Sequence, residues 1–414
     1  MDFTLPEHLP RLLEEIDAFI EAEIAPLQAQ NVQYFDERRE FARTDLGGGG
    51  IPRREWEDLL GEMRRRADKA GWLRYGLPAS LGGRDGTNLD MAIIREHLAA
   101  KGLGLHNDLQ NESSIVGNFP QVIMMERFGT DEQRRQWSEA LITGERSMAF
   151  GLTEPAHGSD ATWLETRAVR DGEDWVINGT KRFNTGVHRA SHDLVFARTS
   201  GDAGQPHGIT AFLVPTDAPG FTVPFYWWTF NMPTDHGEVV LKDVRVPADA
   251  VLGMVDHGLE VAQTFLHENR IRQAAGSLGA AQYCIDRAAE YAGRRTVFGK
   301  PLSVNQAVQW PLAELQTEAH MVRLLVYYAA WHLDRNHHME VSDKVAMANY
   351  RANRLVCDAA DRAMQIFGGL GYSRHEPFEH IYRHHRRYRI TEGTEEIQIR
   401  RVAQRLFRFD KGRR

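Results

Sequence analysis

Val169-Arg170-Asp171-Gly172-Glu173-Asp174-Trp175-Val176-Ile177-Asn178-Gly179 decides the fold, because the chain changes its period here. Asp-Gly and Asn-Gly flanked by β-formers are strong hairpin signals. The stretch predicts a strand ending at an Asp171-Gly172 turn, a strand over 175–177 and a second turn at Asn178-Gly179. Runs at 194–196, 210–214, 221–223 and 239–241 continue that spacing, which predicts a small β-barrel or sandwich over residues 149–253.

On either side the period is helical. Leu12, Leu13, Ile16, Phe19 and Ile20 recur at helical spacing, as do Trp56, Leu59, Leu60 and Met63, with further helices expected over 91–100 and 122–141. Gly47-Gly48-Gly49-Gly50 is expected to be a flexible, exposed insertion, and residues 77–83 a turn. After Gly253, a stripe of Leu278, Ala281, Ile285, Ala288 and Ala292 and helices over 306–332, 342–367 and 397–407 predict a four-helix bundle. The fold class is therefore α+β, with an N-terminal helical domain (1–148), a middle β-barrel domain (149–253) and a C-terminal helical bundle (254–414).

A chain of 414 residues is too long for one core. Hydrophobic content of 42% and charged content of 26% are ordinary for a globular protein, and a net charge of −7 argues against a dedicated nucleic-acid binder. The start of the chain lacks the basic and apolar regions of a secretory leader, and no apolar run is long enough for a bilayer, so a cytoplasmic protein is expected with no membrane partner. Cys284 and Cys357 lie in helical patterns and read as buried free thiols.

Two runs carry most of the chemistry. Gly151-Leu152-Thr153-Glu154-Pro155-Ala156-His157-Gly158-Ser159-Asp160 offers backbone N–H groups and hydroxyls suited to flavin carbonyls and a pyrophosphate. Arg389-Ile390-Thr391-Glu392-Gly393-Thr394-Glu395-Glu396 places a carboxylate beside glycine just before an apolar helix, where it can act as a general base. A carboxylate there also suits simple capping, which Glu395 and Glu396 fit better. In 178–186, Phe183 is either a barrel-core residue or a ring for an isoalloxazine face, with the Thr185 hydroxyl beside it. Arg295-Thr296-Val297-Phe298-Gly299 supplies an arginine able to pair with a pyrophosphate, and glycines 368 and 369 admit close backbone approach or simply end a helix. The cluster His380, Arg383, His384, His385, Arg386, Arg387 and Arg389 has no metal-ligand spacing, so no metal is expected.

Together, in this order, these motifs resemble the acyl-CoA dehydrogenase family of FAD-dependent flavoenzymes, over nearly the whole chain. The resemblance implies FAD held by Phe150, Leu152, Thr153, Gly158, Ser159, Phe183 and Thr185, by Thr394 and Glu396, and across a subunit interface by Arg295, Phe298, Gln306, Gln365, Gly368 and Gly369. It implies Glu392 as the catalytic base, and Ser159, Arg270 and Gly393 as substrate-binding residues. Some branches place the base before the arginine that matches Arg270; here that residue is Asn269, which cannot serve, and Glu268 is roughly 100° further round the helix. The implied reaction is α,β-dehydrogenation of an acyl-CoA thioester to a trans-2-enoyl-CoA, in fatty acid metabolism, with electrons passed to an electron-transfer flavoprotein by a homo-oligomer (a dimer or dimer of dimers). A flavin oxidase or monooxygenase and a DNA-associated flavoprotein are the alternatives on the same scaffold. Three departures concern the acyl group: the aromatic run 225–232, expected as barrel core, Asp235-His236, and His384 where an acid is frequent.

Overall fold

The computed structural model describes residues 4–107, 113–337 and 339–409. The chain divides into two compact units, one of Met1–Ala42, Glu62–Gly117 and Asn269–Arg414, the other of Arg43–Gly61 and Asn118–Glu268.

The second unit is built on strands. A short hairpin pairs β1 (Thr44–Asp45) with β2 (Ile51–Pro52). Eight more strands form one sheet: β3 (Met148–Gly151), β4 (Arg167–Asp171), β5 (Asp174–Thr185), β6 (His192–Arg198), β7 (Ile209–Pro215), β8 (Phe221–Tyr226), β9 (His236–Val246) and β10 (Val251–Leu252), in the order β10-β7-β6-β4-β5-β9-β8 with β3 beside β6. Alternate residues of these strands, among them Ile177, Val195, Phe212, Val214, Val239 and Leu241, converge on one buried cluster. Each such fully buried side chain contributes about 1.5–3 kcal/mol.

Four sequence expectations change here. The Asp171-Gly172 turn forms, but Asn178-Gly179 is no turn: β5 runs straight through it with a register shift between Ile177 and Gly179. Gly179 has φ +156°, and a Cβ there would lie 2.3 Å from Thr166 Oγ1, while Asn178 is tied to Asp243 of β9. The predicted helix 122–141 is two helices, Pro120–Phe128 and Asp131–Thr143, because Thr130 caps the second by accepting from Gln133 N at 3.2 Å. The glycine run is an ordered turn rather than a flexible insertion, since Gly50 N donates to Asp45 O at 2.8 Å and Trp228 Nε1 to Gly49 O at 2.8 Å. The aromatic run is barrel core only in part, through Tyr226, which packs against the strand cluster. After Tyr226 the chain leaves the sheet, and Phe225, Trp228 and Phe230 are exposed.

The first unit is helical. Its long helices are Gly258–Arg294 (from Asn269 onward), Gln306–Leu333 and Ser342–Phe367, with Phe378–Arg386 and Glu395–Leu406 following. Their facing stripes are dominated by alanine: Ala274, Ala281 and Ala288 share one cluster with Ala329, Ala330, Ala352 and Ala360. Small side chains let the helices approach closely, and the predicted bundle positions all lie in this cluster. Glu96 ties helix Asn88–Ala100 to the bundle, accepting from Arg323 Nε at 2.6 Å and Tyr327 OH at 2.7 Å. A hairpin of β11 (Thr296–Val297) and β12 (Lys300–Pro301) follows the first long helix. Cys284 and Cys357 are buried and free. Among the described residues no helix is long and apolar enough to cross a membrane.

Candidate active site

In the strand-built unit, the 151–160 loop leaves the end of β3 and is pinned by Glu154. Its buried carboxylate accepts from Lys181 Nζ at 2.7 Å and Thr166 N at 2.9 Å, and Arg182 N donates to Thr153 O at 2.8 Å. Burial pushes the Glu154 carboxyl upward, but the Lys181 charge and the N–H groups of Glu165 and Thr166 outweigh it and hold it below the usual range. With its anchor fixed, the loop presents Gly158 and Ser159 to solvent and Thr153 half-buried. A Cβ on Gly158 would meet nothing within 4 Å. Such a cradle of small residues with outward donors fits a flavin dinucleotide.

Phe150 and Leu152 flank the start of this loop. The half-buried Phe150 ring is stacked on Phe265 (centroids 4.2 Å apart, 13° between planes). On β5, Phe183 has φ +61° and is 47% exposed, which removes the barrel-core reading. A non-glycine residue in that region costs about 1–2 kcal/mol, a strain often found at ligand sites. Beside it Thr185 is exposed, with Oγ1 2.9 Å from His236 Nδ1.

The helical unit carries Glu392. Its backbone is left-handed (φ +57°) and Gly393 follows at φ +88°, so the chain doubles back immediately before helix Glu395–Leu406. Thr394 caps that helix, accepting from Ile397 N at 3.4 Å. The carbonyl of Glu392 accepts Arg270 Nε at 2.8 Å, Arg270 Nη2 at 2.7 Å and Gln398 Nε2 at 3.1 Å. Burial pushes the Arg270 pKa down, and the Glu392 charge draws it back. A Cβ on Gly393 would lie 3.0 Å from Arg270 Nη2. Three donors on one carbonyl fix the loop, and the half-buried Glu392 carboxylate itself accepts a long hydrogen bond from Asn269 Nδ2 at 3.5 Å. Glu395 is occupied differently: hydrogen bonds from Arg389 and Arg354 hold its carboxyl at about 2. Glu396 is exposed. The side chain of Glu268 lies outside the described residues.

Arg295, Phe298, Gln306, Gln365, Gly368 and Gly369 are all exposed. Tyr291 stacks on Phe367 (4.1 Å, 16°), bringing the end of the first long helix beside the end of Ser342–Phe367, so Arg295 and Gly368 lie at one end of the bundle. Phe298, at the hairpin tip, has φ +50° and is wholly exposed.

Sequence reasoning did not assign Lys181, Asp193 or His236, nor the anchoring role of Glu154. Asp193 on β6 is buried beside Asn184, and burial pushes its carboxyl up to about 7. Lys181 gives no signal of facing inward until the first bulge of β5 is known, and Asp193 is a lone carboxylate at the start of β6.

Three family models match the chain: the N-terminal, middle and C-terminal domains of acyl-CoA dehydrogenase, over residues 6–145, 149–244 and 256–407. The chain is 37% identical over 350 residues to the probable acyl-CoA dehydrogenase FadE2 of Mycobacterium tuberculosis, covering 83% of this chain and 84% of that protein. The acyl-CoA dehydrogenase of Geobacillus kaustophilus superposes with a TM-score of 0.78 at 28% identity, covering 98% of this chain and 100% of that one. A glutaryl-CoA dehydrogenase from Mycobacterium smegmatis, solved in complex with FADH2, has a TM-score of 0.78 at 26% identity, covering 97% of this chain and 95% of that one. With all three domains matched in order on a sheet unit and a helical bundle, the chain belongs to the acyl-CoA dehydrogenase family.

Proposed function

We propose that this protein uses FAD to convert an acyl-CoA thioester to its trans-2-enoyl-CoA, with electrons leaving to an electron-transfer flavoprotein. The observation that carries the reading is the Glu392 turn: a half-buried carboxylate on a left-handed backbone whose carbonyl is held by Arg270 and Gln398.

The 151–160 loop holds the cofactor through Leu152, Thr153, Gly158 and Ser159, with Phe183 against the ring system and Thr185 at its edge. Arg295, Phe298, Gln306, Gln365, Gly368 and Gly369 complete the cofactor site of a neighbouring copy, which accounts for six site residues that all face outward. Thr394 and Glu396 complete the list at the start of the last helix. FAD supplies the two-electron acceptor for the hydrogen that leaves Cβ with its electron pair. Glu392 takes the α-proton as general base, and its backbone N–H polarises the thioester oxygen so that this weakly acidic proton can leave. Gly393 lets the substrate approach the turn, Ser159 contacts it from the loop, and Arg270 keeps the turn in place through the Glu392 carbonyl. Domain limits at residues 148 and 253 belong to the same proposal.

The purified holoenzyme, mixed with a panel of acyl-CoA esters under anaerobic conditions, tests this reading. Bleaching of the flavin by at least one ester, followed by reoxidation with an electron-transfer flavoprotein rather than with air, is expected. Rapid reoxidation by oxygen would assign an oxidase instead, and no bleaching by any ester would overturn the substrate class.

A further inference from the structure

β5 carries a second register shift, between Arg182 and Asn184, and Phe183 is the extra residue. Its left-handed backbone makes the bulge. The consequence for facing is simple. Arg182 pairs with Glu238 and Thr185 with His236, so two residues three apart on β5 meet two residues two apart on β9. Glu238 and His236 share a face of β9, and the bulge therefore brings Arg182 and Thr185 to that same face. Both side-chain pairs form: Arg182 Nε donates to Glu238 Oε2 at 3.0 Å, and His236 Nδ1 stands 2.9 Å from Thr185 Oγ1.

The same Nδ1 lies 3.3 Å from Asp235 Oδ1. A carboxylate only accepts, so a proton on Nδ1 satisfies both neighbours, whereas a bare nitrogen there would face the aspartate's lone pairs. With that proton in place Thr185 Oγ1 is an acceptor from His236, and its own hydrogen is left to point elsewhere. Among the described residues the remaining acceptor is Phe183 O, at a long 3.4 Å. Thr185 is exposed, so its hydrogen can rotate from that long contact toward a ligand.

We propose that His236 is a positioning residue, which with Asp235 holds the Thr185 hydroxyl as a hydrogen-bond donor toward the edge of the bound flavin. The proposal rests on the flavoenzyme reading above. It adds that Asp235-His236, a departure from the family pattern, biases the flavin toward its oxidised form, which has the acceptor at that edge.

The test is the midpoint potential of the holoenzyme, measured by dye equilibration, together with its FAD dissociation constant. His236→Leu keeps bulk but removes the donor, and is expected to move the oxidised/reduced balance about three- to tenfold toward the reduced form. For a two-electron couple that is a rise of about 15–30 mV. His236→Asn, whose amide N–H replaces Nδ1–H at similar reach, should restore most of the shift. In a Thr185→Val background, His236→Leu should have no further effect. Asp235→Asn, nearly isosteric, should shift the potential in the same direction and serves if His236→Leu fails to fold. An unchanged potential in both the His236 and Asp235 variants, or an equal shift in the Thr185→Val background, overturns the positioning role alone. A wild-type protein that takes up no FAD overturns the flavoenzyme reading and this proposal with it.

Discussion

Arg270 grips the backbone carbonyl of Glu392 through Nε and Nη2, at 2.8 and 2.7 Å, so a half-buried cation is engaged in holding the main chain of the residue proposed as base. Anchoring and chemistry are thereby separated within one residue, the carbonyl for the first and the carboxylate for the second.

Glu392→Gln should isolate the second. Size and backbone are kept, so FAD content should be unchanged, while stopped-flow flavin reduction by substrate should slow by about 10²–10⁴-fold, as for loss of a positioned base. Reduction at the wild-type rate would move the base elsewhere.

Arg270→Lys should impair the first. A single ammonium cannot reproduce two parallel hydrogen bonds. The turn should loosen and flavin reduction fall about ten- to a hundredfold with FAD still bound, because a displacement near 1 Å is enough to cost that much. Loss of FAD together with activity would give Arg270 a different role.

Lys181→Met should strand Glu154. Breaking a buried pair by removing one partner typically costs about 3–5 kcal/mol. Urea unfolding should show that loss, and FAD affinity should drop with the loop. A smaller cost in Lys181→Met/Glu154→Gln than in the single variant is the expected signature of a buried pair.

Asp193 makes stability depend on pH. Its carboxyl is raised in the fold, from an ordinary value of 3.8 to about 7. Folding therefore favours the protonated form: the contribution is complete below pH 3.8, declines as pH rises toward 7, and is gone above it. Asp193→Asn should remove that decline and raise the thermal midpoint at pH 8 relative to wild type. A parallel pH profile in the two proteins would show that Asp193 does not titrate there.

Arg295→Ala should lower FAD occupancy without altering the fold of a single chain, since Arg295 is exposed on the end of the bundle. Full occupancy at wild-type affinity would contradict the shared-site proposal.

Much of this was legible in the sequence, for physical reasons that differ by residue. The switch of period at residue 149 follows from side chains alternating across strands, and the alanine stripe from Leu278 to Ala292 follows from helix geometry. What sequence could not give were facing directions set by single backbone residues. Asn178-Gly179 has the composition of a turn, yet Gly179 serves a bulge because Thr166 crosses it closely. Phe183 has the composition of a core residue, yet its own backbone turns it outward. Two bulges in one strand reset which residues meet, and Thr185 found His236 only through the second. The aromatic run misleads likewise: hydrophobicity predicts burial, but the chain has already left the sheet at Trp227.

The Glu154–Lys181 pair bears on how this sequence can drift. Neither position can change alone without passing through a chain with an uncompensated charge in its interior, a cost comparable to much of a domain's 5–15 kcal/mol margin, roughly speaking. The two are thus locked by folding, independently of any selection on chemistry. A descendant that lost the Glu392 carboxylate would go on carrying Glu154, because the loop is pinned through it. Within the 151–160 run, Glu154 therefore reports a scaffold, whatever becomes of Glu392.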